Sequence, residues 1–164
     1  MSHGMDVSAP STLTALFVRL LLAAALGAAV GINRELQQKP AGFRTHAMVA
    51  LGAALMSLVA VGLSRGHEPL DTSSISRVLQ GIIAGIGFVG AGVILRRDDA
   101  QGVHGVTTAT SIWVVAAIGM ATGLGMWAPA VAAVVLALFV LTVGEVADRA
   151  LYRFHSDRAR DDRR

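Results

Sequence analysis

Apolar residues run along this chain in five long stretches separated by short polar clusters: 13–32, 45–63, 78–95, 106–124 and 127–143. Each is close to the about 20 residues a helix needs to cross a bilayer. The clearest evidence is residues 105–144, which contain no Asp, Glu, Lys or Arg. As one helix that run would extend roughly 60 Å, twice the hydrocarbon thickness, so it reads as two crossings. The turn falls in "GLGMWAP" (residues 123–129), with Pro129 in the first turn of the next helix, where its missing N–H costs nothing. The pattern therefore predicts an all-α fold, a polytopic membrane bundle of five transmembrane helices.

One cation interrupts the first stretch, Arg19. At mid-bilayer a charge costs at least about 2.5–3.5 kcal/mol, so Arg19 is expected near the helix start, with its stem snorkelling to the interface. The leader "MSHGMDVSAPST" has no positive region, which argues against a cleaved signal peptide. With five crossings, eleven of the fourteen Lys and Arg residues fall on one side of the membrane, in the first-to-second loop, the third-to-fourth loop and the C-terminal tail. The positive-inside rule then places the N-terminus outside and the C-terminus in the cytoplasm. The expected organisation is an extracytoplasmic segment over residues 1–12, a membrane domain over 13–144 and a cytoplasmic mixed-charge tail over 145–164.

Composition agrees with this reading: 54% hydrophobic and 15% charged residues, against about 25% charged in soluble domains, and a mean hydropathy of +0.60. The basic pI of about 10.5 is mainly a topology signal. The tail "DRALYRFHSDRARDDRR" is mixed in sign, so no nucleic-acid partner is expected. There is no cysteine, which excludes disulfides, thiol catalysis and Cys-based zinc sites.

The stretch "GIIAGIGFVGAGVIL" (residues 81–95) spells G-x-G-x-x-G at Gly85, Gly87 and Gly90. A dinucleotide fingerprint sits between a strand and a helix, with an acidic residue about 20 positions on. Here the run is uncharged and the chain about 20 residues later reads "TTATSIW". On a helix, Gly81, Gly85 and Gly92 fall within roughly 40° of one another, and Gly87 and Gly90 lie roughly opposite. Two small-residue faces would admit two neighbours, placing the third helix in the middle of the bundle. The competing reading is that some of these glycines break the helix, as in transporters. Gly27/Gly31 and Gly119/Gly123 repeat the four-residue spacing in the first and fourth helices, so all nine glycines are helix-packing candidates. Such faces also permit a homo-oligomer.

Polar chemistry gathers at one end. Asn33, Arg34, Glu35, Arg44, Thr45, His46, Thr107 and Thr108 all lie near the predicted cytoplasmic helix ends. Two helices begin there, and their free N–H groups favour an anion. The plainer alternative has Thr107 and Thr108 capping a helix and Glu35 pairing with Arg34 or Arg44. His46 reads as an interfacial hydrogen-bonder rather than a metal ligand. No catalytic set is expected, since Ser/His/Asp, HExxH and P-loop patterns are missing. No metal or cofactor is expected either, because magnesium handling wants carboxylate ligands and no helix centre carries an acid.

Four ordered blocks, "GAAVGINRE" (27–35), "PAGFRTH" (40–46), the glycine run (81–95) and "VHGVTTATSIWVVAAIGMATGLG" (103–125), resemble the membrane domain of the MgtC/SapB family. The resemblance implies a small bacterial inner-membrane protein linked to growth under magnesium limitation and, in pathogens, to survival inside macrophages. It implies regulation of other membrane proteins, the F-type ATP synthase among them, rather than magnesium transport. Two departures stand out. "VTTATSIW" differs in detail from the family's usual LTTAATLW, and the tail is too short for the soluble ACT-like C-terminal domain of virulence-type members, so a short form is expected. The reading is a non-enzymatic regulatory or accessory protein in magnesium or acid stress. Its partners would be the lipid bilayer and other membrane proteins. An ion or small-anion channel or transporter is the alternative.

Overall fold

The computed structural model describes residues 12–64, 72–95 and 105–161, with side chains through Ile94 in the second segment and Ala147 in the third. Most of the predicted N-terminal segment, the loop residues Arg65, Arg96, Arg97 and His104, and the side chains of the charged tail lie outside this description. The described residues form helices α1 (Leu13–Leu36), α2 (Phe43–Leu63), α3 (Thr72–Leu95), α4 (Val106–Gly123) and α5 (Trp127–Asp161). All five are long and apolar enough to cross a membrane, and no strand occurs among the described residues. Several helices outrun their apolar stretches. α1 carries Asn33, Arg34 and Glu35 within it, α3 starts on Thr72, Ser73 and Ser74, and α5 continues to Asp161. Backbone hydrogen bonding continues past the point where side chains turn polar, because a helix end can be satisfied by water or by neighbours.

The centre of the bundle is α4, not α3. α4 packs against each of the other four helices and buries Ile112, Val115, Ala116 and Ile118 almost completely. Among the described residues α3 touches only α2 and α4. It turns Ile75, Val78, Leu79, Ile82 and Ile86 inward, while Phe88 on its outer side is 84% exposed.

The glycines divide accordingly. A Cβ at Gly119 would fall 2.8 Å from Ala50 Cα, and one at Gly123 2.9 Å from Ala54 Cα, so these two glycines set the approach of α4 to α2. Gly27 and Gly31 do the same for α1 and α2: their Cβ positions lie 2.6 Å from the His46 carbonyl oxygen and 3.0 Å from His46 Cβ. By contrast, a Cβ at Gly81, Gly85, Gly87 or Gly92 meets no described atom within 4 Å, and one at Gly90 meets only Ala109, at ordinary contact distance. The expectation that these α3 glycines bring helices together on two sides is corrected within this chain. Spacing shows that residues share a helix face, but the neighbour comes from topology.

Arg19 lies near the start of α1, as expected, and is also held by protein. Its guanidinium turns to protein, donating from Nη1 to the Gly123 carbonyl oxygen at 3.2 Å and lying against Gly125, whose φ of +86° needs glycine. α4 ends there, so a cation meets the negative end of the helix dipole. Intramembrane hydroxyls are satisfied locally: Ser57, Ser64 and Thr122 each donate to the carbonyl four residues back, at 2.8–2.9 Å.

Candidate functional site

At the opposite end from Arg19, the end of α1, the start of α2, the start of α4 and the far part of α5 converge. The Gly27/Gly31 pair lets the first turn of α2 lie against α1, which carries His46 inward until it is wholly buried. Its ring is held on both nitrogens: Nδ1 lies 2.9 Å from the Gly42 carbonyl oxygen and Nε2 3.0 Å from Ser111 Oγ. A carbonyl only accepts, so Nδ1 bears the proton, and in a neutral ring Nε2 accepts from the Ser111 hydroxyl. That hydroxyl also lies 2.8 Å from the Thr108 carbonyl oxygen, so its single proton has two acceptors in reach.

Arg34 joins this network from α1. It is only 3% exposed. Nη2 donates to Thr108 Oγ1 at 2.9 Å and Nη1 to Gln37 Oε1 at 3.1 Å, while Nε has no acceptor among the described residues. Burial disfavours the charged guanidinium, and the charge of Glu145 on α5 acts in the opposite, favourable sense. A buried guanidinium is tolerated only when paired and hydrogen-bonded, and Arg34 draws on α1, α4 and α5 to meet that condition. Asn33 extends the ring, donating to Thr142 Oγ1 of α5 at 3.4 Å and accepting from Gln37 Nε2 at 3.2 Å.

Of the eight polar residues expected here, Arg34, His46 and Thr108 form one connected group through Ser111, and Asn33 attaches to it through Gln37. Thr108 does not cap α4. The N-cap is Gly105, at φ +89°, and no side-chain cap bond is formed there among the described residues. Glu35 pairs with neither arginine; its Oε2 accepts from the Phe43 backbone N–H at 3.0 Å, capping α2. One of the two helix starts expected to attract an anion is therefore occupied by the chain's own carboxylate. Arg44 is exposed, its guanidinium 5.7 Å from the Phe43 ring centre. Thr45 and Thr107 remain exposed outside the network. Gln37, Ser111, Thr142 and Glu145 are additions. Ser111 was foreshadowed by its place three residues after Thr108, one helical turn along the same face. Glu145 and Thr142 had no local signal, because the pairing of α1 with α5 depends on topology.

The Glu35 cap is separately testable. Glu35→Ala removes both a cap acceptor and a charge favourable to the α2 dipole, so unfolding in micelles should show a loss of about 1 kcal/mol, with Glu35→Gln losing less.

Among the described residues no group of three or more His, Asp or Glu stands where it could hold a metal ion. The arrangement ties four helix ends together around one buried positive charge.

A profile of the MgtC family matches residues 20–150. Protein SrpB of Synechococcus elongatus is 42% identical over 115 residues, which is 66% of this chain and 63% of that protein. The putative magnesium transporter YhiD of Escherichia coli K12 is 43% identical over 131 residues, 77% of this chain and 59% of YhiD. Protein MgtC of Salmonella typhimurium is 40% identical over 121 residues, 74% of this chain and 48% of MgtC. The matched region thus spans about half to just under two thirds of each of these relatives. No solved structure matches.

Proposed function

The chain belongs to the MgtC family, and from that premise we propose that it is a regulatory or accessory protein of the bacterial inner membrane, acting by contact with other membrane proteins during magnesium limitation or acid stress. Its C-terminus lies in the cytoplasm, on the side richer in Lys and Arg. The observation that carries the reading is the outer face of α3. Small residues in membrane helices serve close helix contact, yet a Cβ at Gly81, Gly85 or Gly92, which share one face of α3, meets no described atom within 4 Å. A face suited to a neighbouring helix is thus turned outward, and a membrane-embedded partner supplies that helix.

A second reading, transport, is favoured by the name of the YhiD relative, a putative magnesium transporter. One pair of measurements separates the two. In a strain lacking the protein, the wild-type chain should restore growth in low magnesium. Gly81→Leu with Gly92→Leu should fail to do so, at equal membrane abundance and with the same melting temperature. Purified wild type in vesicles should pass no magnesium. Full complementation by the double variant, or a magnesium flux abolished by Arg34→Gln, would replace the contact reading with transport.

A further inference from the structure

Three features lie side by side on the outer side of α3. The first is the line of Gly81, Gly85 and Gly92, where an added Cβ meets no described atom within 4 Å. The second is Phe88, on one flank of that line, about 40° from its middle. It is 84% exposed, more than any other large apolar side chain among the described residues. The third lies on the other flank, where a groove of about 310 Å³ opens between α2 and α3. Val89, about 60° from the middle of the glycine line, stands on its near wall. Met48, Gly52 and Met56 line its α2 side, and Ala116 of α4 lies at its floor. A Cβ at Gly52 meets no described atom within 4 Å either, so the α2 wall has room for an incoming group.

Resting on the reading that the glycine face of α3 meets a neighbouring helix, we propose that this helix is α3 of a second copy of the chain. The two copies form a two-fold dimer about an axis along the membrane normal, and Phe88 of each enters the α2–α3 groove of the other. Self-association of this kind sets two conditions, and both are met. Every copy inserts with the same topology, so such an axis keeps each residue at its own depth, and knob and hole must be level. Phe88 follows Gly85 and precedes Val89, both of which line the groove. A two-fold interface is also isologous: residue i touches j and j touches i. A group on one flank of the contact line therefore meets what lies on the opposite flank of the partner helix. Phe88 and the groove are placed in that way, with the glycines between them to let the two backbones come close. Size agrees, since an apolar cavity of about 150 Å³ already holds benzene, and the flexible Met48 and Met56 can close around a ring. An acyl chain would fit the groove as well, but it calls for neither the glycine line nor a ring at the same depth.

The chain has no cysteine, so single introduced thiols report contacts without background when membranes holding the full chain are oxidised. Gly85→Cys, beside the axis, should link to itself, within the short Cα separation a disulfide needs. Phe139→Cys, 63% exposed on α5, should not. Phe88→Cys should link to Gly52→Cys when the two variants are expressed together, and poorly to itself. Without thiols, energy transfer between labelled copies in vesicles should show association weakened roughly tenfold or more by Phe88→Ala, the loss of a central aromatic anchor. Gly52→Leu, filling the groove from its wall, should act the same way. Dilution in excess detergent separates the copies, so unchanged melting temperatures in micelles show that the variants fold. Linking at Phe139 as complete as at Gly85, Phe88→Cys linking to itself but not to Gly52→Cys, or association untouched by Phe88→Ala and Gly52→Leu would overturn the proposal. If Gly85→Cys does not link to itself while Gly81→Leu with Gly92→Leu still abolishes growth in low magnesium, the dimer is overturned and the face serves a different protein. If the dimer forms as described and that double variant grows normally, the dimer stands and the regulatory reading of the face falls.

Discussion

Valine at Gly119 will separate α2 from α4. The first carbon of that side chain falls on the carbonyl oxygen of Ala50 and 2.8 Å from Ala50 Cα. These are backbone atoms, which no rotamer change can move aside, so the helices themselves must part. Overpacking a well-filled core costs about 1–3 kcal/mol and more where the backbone must shift. Gly119→Val should therefore sit at or above the top of that range. Gly123→Val should follow it, since Ala54 stands opposite in the same way. The control is Gly85→Val in α3, where a side chain meets open space among the described residues; its effect should stay within about 0.5 kcal/mol, as for substitutions that touch nothing. Thermal unfolding in micelles, followed by circular dichroism, reads all three. Equal losses at Gly119 and Gly85 would refute α4 as the central helix.

This contrast also marks what the sequence could and could not reveal. Five crossings were legible because apolar length is a local property, and the polar end was legible because antiparallel helices alternate their ends. The central helix was not. α3 carries the denser glycine run, and density suggested neighbours on both sides. α4 has fewer glycines, but in α4 they face the Ala50 and Ala54 backbones, and its span is more deeply buried than that of any other helix. The same limit explains the polar cluster. Residue type and helix position brought Arg34, His46 and Thr108 to one end. That Glu35 reaches Phe43 rather than an arginine depends on the tight connection after α1, where Gln38 adopts φ +55° and the chain folds back across the end of its own helix. That Arg34 is answered by Glu145 depends on α5 returning beside α1, which no pattern within either segment encodes.

Arg34 carries the second large effect, and the sign of its rescue is the informative part. Arg34→Ala removes the donor to Thr108 and Gln37 and the positive charge whose field reaches Glu145. Leaving buried hydrogen-bond partners unsatisfied costs about 1–3 kcal/mol each, so the loss should be a few kcal/mol. The α1 end should loosen from α4, and unfolding in micelles should report that loss. Arg34→Lys should recover only part, since an ammonium carries the charge but not the planar fork that reaches Thr108 and Gln37 together. Combining Arg34→Met with Glu145→Leu removes both charges and keeps their bulk. The double variant should then be more stable than either single one, with a coupling of about 0.5–3 kcal/mol in the cycle. If the two losses simply add, Glu145 is not the counterion and the buried guanidinium is held by its hydrogen bonds alone. If the double variant regains stability yet fails to support growth in low magnesium, the two charges serve contact with a partner at that end of the bundle rather than the assembly of its helices.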